Sequence, residues 1–142
     1  MRPLTRLVTV LLVTAAVACG DKNNVVAPIG SIAGTWNLQT VDGRPLPVTL
    51  DQTGDTIVEL TAITMTLTAS TSSSGSFSLS STIRLTENGQ STSQTNSVSG
   101  TYSLNGAALS LTANGQTITG SWNGGNTLTL SDGGSAFVFA RQ

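Results

Sequence analysis

The stretch NGAALSLTANGQTITGSWNGGNTLTLSDGG, residues 105–134, decides the fold. Asn105-Gly106, Asn114-Gly115, Asn123-Gly124 and Asp132-Gly133 stand nine residues apart, and Asn88-Gly89 precedes them. Both central residues of a type I′ hairpin turn need positive φ, which Gly adopts freely and Asn or Asp tolerates. Between the turns, apolar and polar residues alternate, which is the period of a half-buried strand. The stretch predicts an antiparallel meander.

Each turn also predicts a register. A two-residue loop at Asn88-Gly89 sets Glu87 against Gln90, Leu79 against Val98 and Phe77 against Gly100. The same rule at Asn105-Gly106 sets Tyr102 against Leu109 and Gly100 against Leu111. At Asn114-Gly115 it sets Leu111 against Ile118 and Ala107 against Trp122. A three-residue loop at Asn123-Gly124-Gly125 keeps the apolar residues on one face, pairing Gly120 with Leu128 and Ile118 with Leu130. Asp132-Gly133 brings Leu128 to Phe137. The opposite face is small and polar, with Ser78, Ser80, Thr82, Arg84, Ser110, Thr112, Thr117 and Thr119.

Further upstream, Ser76–Glu87 alternates with Phe77, Leu79, Ile83 and Leu85 inward. Gly34–Val41 reads as the first strand, ended by Asp42-Gly43, with Trp36 and Leu38 on one face. Pro45 and Pro47 keep the next residues out of a central strand. Asp51–Asp55 reads as a polar loop and Ile57–Leu60 as a short strand. The apolar phase then moves from even to odd positions between Leu60 and Ile63, which predicts a bulge near Thr61. Ser70–Ser74 reads as a loop. On the last strand Phe137 and Phe139 face one way and Ala136, Val138 and Ala140 the other, so both faces are expected to be covered. Eight or nine such strands hide their edges by closing into an up-and-down barrel, an all-β fold.

The totals agree. A chain of 142 residues suits one domain. Ser and Thr number 41, a composition of β surfaces. Charged residues are 9% of the chain and lack the basic clusters that nucleic acid requires. Residues 1–18 read as a signal peptide: Arg2 and Arg6, an apolar run Leu7–Val17, and the small residues Ala16-Val17-Ala18 before a cut. The apolar run is shorter than the ~20 residues that span a bilayer. Residues 19–33 read as a tether carrying Pro28 and Gly30, with Val25, Val26 and Ile29 able to dock on the domain that follows.

Ala16-Val17-Ala18-Cys19-Gly20 resembles a bacterial lipobox, in which the Cys is lipidated and becomes the mature N-terminus. The resemblance implies a membrane partner through palmitate-like acyl chains on Cys19. It also implies a place in the bacterial cell envelope, at the outer membrane facing the periplasm since Gly20 follows the Cys. An ordinary secreted protein with an incidental Cys is the alternative. Gly34-Thr35-Trp36 on the first strand and Arg141 on the last resemble the lipocalin-like proteins. There the Trp closes one barrel end and a basic residue packs over it, so residues 34–142 are expected to form a lipocalin-like barrel. Gly34, Trp36 and Arg141 would be its closing residues.

The expected function is non-catalytic binding of a small apolar or amphipathic ligand, with Phe77, Tyr102, Leu109, Leu111, Ile118 and Trp122 as walls. A filled barrel acting as an envelope interaction module is the alternative. Gly100 and Gly120 face inward and either vacate space or are filled by neighbours. Catalysis is poorly equipped: the chain has no His, and its single Cys is Cys19. A carboxylate hydrolase built from Asp51, Asp55, Glu59 and Glu87 is a third reading. Asp51, Asp55 and Glu59 recur every four residues but match no calcium-loop pattern, so neither metal nor cofactor is expected. A monomer is expected.

Overall fold

The computed structural model describes residues 30–142. The expected signal peptide, Cys19 and most of the tether lie outside the described residues. Ten strands follow one another: β1 Gly34–Val41, β2 Arg44–Pro45, β3 Val48–Thr53, β4 Thr56–Ala69, β5 Ser74–Glu87, β6 Gln90–Asn105, β7 Ala108–Ala113, β8 Gln116–Trp122, β9 Thr127–Asp132 and β10 Ser135–Arg141. The sheet order is β2-β1-β10-β9-β8-β7-β6-β5-β4-β3, and β1 also pairs with β4. That last pairing closes β1 and β4–β10 into an eight-stranded antiparallel barrel. The two extra strands, β2 and β3, lie outside the ring.

Turn chemistry sets the hairpins. Asp42-Gly43, Asn88-Gly89 and Asn114-Gly115 each have positive φ at both residues, as type I′ turns require. Glu87 meets Gln90, Phe77 meets Gly100 and Leu111 meets Ile118, as expected. Three registers differ from expectation. Tyr102 pairs with Leu111, not Leu109, because the turn is Gly106-Ala107. Leu128 pairs with Phe139, not Phe137, because the turn is Gly133-Gly134. Gly120 pairs with Leu130, not Leu128, because the loop Asn123–Asn126 is longer than three residues.

The three shifts share a cause. Leu104 now faces Leu109, Leu130 faces Phe137, and Trp122 faces Leu128. In the expected registers these partners were Ala107, Ser135 and Asn126. Cross-strand apolar pairs stabilise a sheet by ~0.2–1 kcal/mol each, enough to choose between neighbouring turn positions. Each shift moves the pairing by two residues, so no side chain changes face.

Two further expectations change. Asp51–Asp55 is not a loop: β3 continues through Thr53 and only Gly54-Asp55 turns. Ile57–Leu60 is the start of the 14-residue strand β4. The register of β4 against β5 shifts between Leu60 and Ala62, so the bulge lies at Thr61. Thr61 Oγ1 donates to the Thr82 carbonyl there, at 3.0 Å.

The core is one apolar cluster that includes Trp36, Leu38, Met65, Leu67, Phe77, Tyr102, Leu109, Leu111, Trp122, Leu128 and Phe139. Ile32 belongs to it at 3% exposure, so the last residues of the expected tether are packed against the barrel. The other face of β10 is half-buried at Ala136, Val138 and Ala140. Among the described residues no helix is present.

Candidate functional site

The two ends of the barrel differ. At one end lie Gly30–Ala33, the loop 70–73, the turn Gly106-Ala107 and the loop 123–126. Trp36, fully buried, donates from Nε1 to the Ile32 carbonyl at 3.0 Å. The Arg141 guanidinium sits 4.4 Å from the centroid of the Trp36 ring. It also donates to the carbonyls of Ala33 and Ser31, each at 2.7 Å. A planar fork can stack on an indole and reach two carbonyls at once, which an ammonium cannot. Gly34 has φ of +143°, and a Cβ there would lie 2.8 Å from Arg141 Nη1. Gly34, Trp36 and Arg141 together form a plug at this end.

Behind the plug the barrel is solid. Inward glycines stand opposite large side chains: Gly75 opposite Tyr102, Gly100 opposite Phe77 and Gly120 opposite Leu130. A Cβ on Gly75 would lie 2.7 Å from Tyr102 Cε1 and one on Gly100 2.8 Å from Phe77 Cε1. Each would also strike a backbone carbonyl of the next strand: Thr68 for Gly75, Thr112 for Gly100 and Thr129 for Gly120. The glycine spaces are filled by their neighbours, and the tight strand approach bends the sheet into a ring.

The other end is open. A cavity of about 220 Å³ is lined by Phe77, Leu79, Val98, Leu111, Ala113 and Ile118, with Leu130 beneath and Asn114 and Gln116 at the rim. A second of about 160 Å³ adjoins it, sharing Leu79, Ile118 and Leu130 and adding Ile63, Phe137, Phe139 and Asp132. The walls are almost wholly hydrocarbon. Beyond the mouth, β3–β6 continue as a four-stranded arm. Val58, Ile83 and Leu85 form a half-buried apolar ledge on its inner side.

Of the expected walls, Phe77, Leu111 and Ile118 line the larger cavity. Tyr102, Leu109 and Trp122 are buried in the solid half and do not. Trp122 donates from Nε1 to the Gly125 carbonyl at 2.8 Å. It borders a mixed polar and apolar cleft of about 390 Å³ beside Gly30–Ile32. Although larger in volume, that cleft opens at the plugged end, between the first described residues, the loop 70–73 and the turn at Gly106, and its lining is partly polar. Leu79, Val98, Ala113 and Leu130 are wall residues that the aromatic pattern did not single out.

Charge is divided between the ends. Asp42, Asp51, Asp55, Glu59, Glu87 and Asp132 all lie at or beyond the mouth, with Arg44 and Arg84 among them. Among the described residues Arg141 is the one charged side chain at the plugged end. Glu59 Oε2 accepts from Arg84 Nη2 at 2.7 Å on the outer face of the arm. Asp42 Oδ1 accepts from the Ala136 N–H at 2.8 Å and ties β1 to β10. Among the described residues no three His, Cys, Asp or Glu side chains gather as metal ligands would. Burial pushes the Tyr102 phenol above its ordinary value. Comparisons with protein-family models, curated proteins and solved structures found no match to this chain.

Proposed function

We propose that the chain is a lipocalin-like lipoprotein of a bacterial envelope, and that its barrel holds a small apolar or amphipathic molecule without catalysing a reaction. The observation that carries the reading is the pair of adjoining hydrocarbon-walled cavities at the mouth, about 220 and 160 Å³, joined through Leu79, Ile118 and Leu130. A dry cavity of roughly 150 Å³ already accepts benzene in another protein. Drug-sized ligands occupy ~300–1,000 Å³. The site therefore suits a small ring or a short acyl segment, with the remainder of the ligand lying along Val58, Ile83 and Leu85. Asn114 and Gln116 at the rim suit a polar head.

Orientation supports the envelope part of the reading. The chain enters the barrel at the plugged end, through Gly30–Ala33. An anchor at Cys19 would join the barrel at its plugged end, the end opposite the mouth. Fractionation of Cys19→Ser should find the protein released; retention on membranes contradicts the anchor.

Native mass spectrometry of protein from its own host tests the ligand. A bound small molecule is expected, and Ile118→Trp, which puts a larger side chain into the wall both cavities share, should weaken its retention while keeping the fold. Bare protein that also fails to bind added apolar probes overturns the reading in favour of a filled interaction module.

A further inference from the structure

Among the described residues the arm leaves two long edges without a neighbour, β3 on one side and the distal part of β6 on the other. β5 pairs with β6 over the full length of Gln90–Ser103, whereas β7 pairs only with Thr101–Asn105. Among the described residues, Ser91–Ser99 therefore has no neighbour on its outer side. It runs for about 30 Å at ~3.3 Å per residue. Ser91, Thr92, Ser93, Gln94, Thr95, Asn96 and Ser97 are all exposed.

The two-residue turn at Asn88-Gly89 makes Glu87 and Gln90 a hydrogen-bonded pair. Alternate residues then point their backbone groups the other way. Ser91, Ser93, Thr95, Ser97 and Ser99 thus present free N–H and C=O groups. The same parity holds further along, where Thr101, Ser103 and Asn105 face β7.

Proteins protect such edges with charge, proline or a bulge. The opposite edge of the arm has these devices. β3 carries Asp51, breaks register between Thr49 and Asp51, and follows Pro47. Ser91–Ser99 reads STSQTNSVS and has none of them. The difference within one arm marks the β6 edge as the one left open for pairing.

We propose that this edge pairs antiparallel with the same edge of a second copy, about a two-fold axis at Thr95. In that register Ser91 faces Ser99, Ser93 faces Ser97 and Thr95 faces itself. All five outward residues of each strand are matched, giving about ten backbone hydrogen bonds. The strand is uncharged, so self-pairing brings no like charges together, and Ser and Thr pairs across strands are favourable. The free edge ends at Ser99, next to where β7 ends against Thr101, so this register uses the whole edge. The pairing is isologous and closes at two copies, whereas β6 on β3 would propagate into a filament.

Sedimentation of the full-length chain carrying Cys19→Ser, across a concentration series, tests this. The mass should rise from the 14.5 kDa monomer toward twice that value. Thr95→Pro, which removes an outward N–H, should remain monomeric with an unchanged melting temperature. Thr95→Cys in the same background should oxidise to a covalent dimer, since paired Cα atoms ~5.5 Å apart suit a disulfide. Monomer at every concentration with no Thr95→Cys dimer overturns the proposal. So does a dimer that survives Thr95→Pro, or growth beyond two copies.

Discussion

The plugged and open halves of this barrel are written in the same alternation of apolar and polar residues, yet one is solid and the other hollow. The difference accompanies the two tryptophans and the tyrosine, which all lie in the solid half. The solid half holds Trp36, Tyr102 and Trp122, with Leu109 and Leu128 between them. The open half is walled by Leu79, Val98, Leu111, Ala113, Ile118 and Leu130, with Phe77, Phe137 and Phe139 as its aromatics. Alternation decides which way a residue faces. Its size and its height along the axis decide whether the space is filled.

The largest effect should come from the plug. Trp36→Ala removes a fully buried indole and the partner of Arg141, and should cost about 3–5 kcal/mol in chemical denaturation. Ile118→Ala, at half-buried walls beside an existing void, should cost about 1 kcal/mol. Equal costs would break the contrast between the ends.

Next comes the tight packing behind the plug. Gly120→Ala drives a Cβ against the Thr129 carbonyl and within 2.8 Å of Leu130 Cδ2. Overpacking of this kind costs about 1–3 kcal/mol, read as a lower denaturation midpoint. A neutral result would show that the solid half can yield. Arg141→Lys keeps the charge and loses the fork to Ser31 and Ala33, so a loss near 1 kcal/mol is expected because the site is partly solvated.

The smallest effect is a pH dependence. Tyr102 is the chain's single tyrosine, and burial raises its value above 10.0 in the folded state. The folded chain thus holds this proton more tightly than the unfolded chain. Its contribution is complete below the ordinary value and is lost as pH climbs through the raised one. The melting temperature should fall above about pH 10 in the wild type and fall less in Tyr102→Phe.

Much of the fold was legible. The meander, the first strand, the bulge at Thr61 and the facing of Phe77, Leu79 and Ile118 follow from turn dipeptides and phase. The contact of Arg141 with Trp36 was expected from a resemblance confined to four residues. Turn positions were less legible, because Asn105-Gly106 and Gly106-Ala107 both satisfy local geometry. Cross-strand apolar partners decided between them. Half of the expected walls lie away from the open-end cavities for a related reason. Tyr102, Leu109 and Trp122 face inward as read, but they lie close to the plugged-end turns. Periodicity carries no information about height along the axis. Counting residues from Gly106 and Asn123 would have put these three beside the plug. The unpaired length of β6 was hidden because strand length in β6 and β7 is set by different turns.

The central claim is that the hollow half, and not the solid half, takes an apolar guest. Amide chemical shifts of the labelled chain, followed through titration with a short fatty acid, test it most directly. The account predicts saturable shifts at Phe77, Leu79, Val98, Ala113, Ile118 and Leu130, with Tyr102, Leu109 and Trp122 unmoved. Shifts centred on Trp122 and Leu109, or none at any concentration, would contradict it.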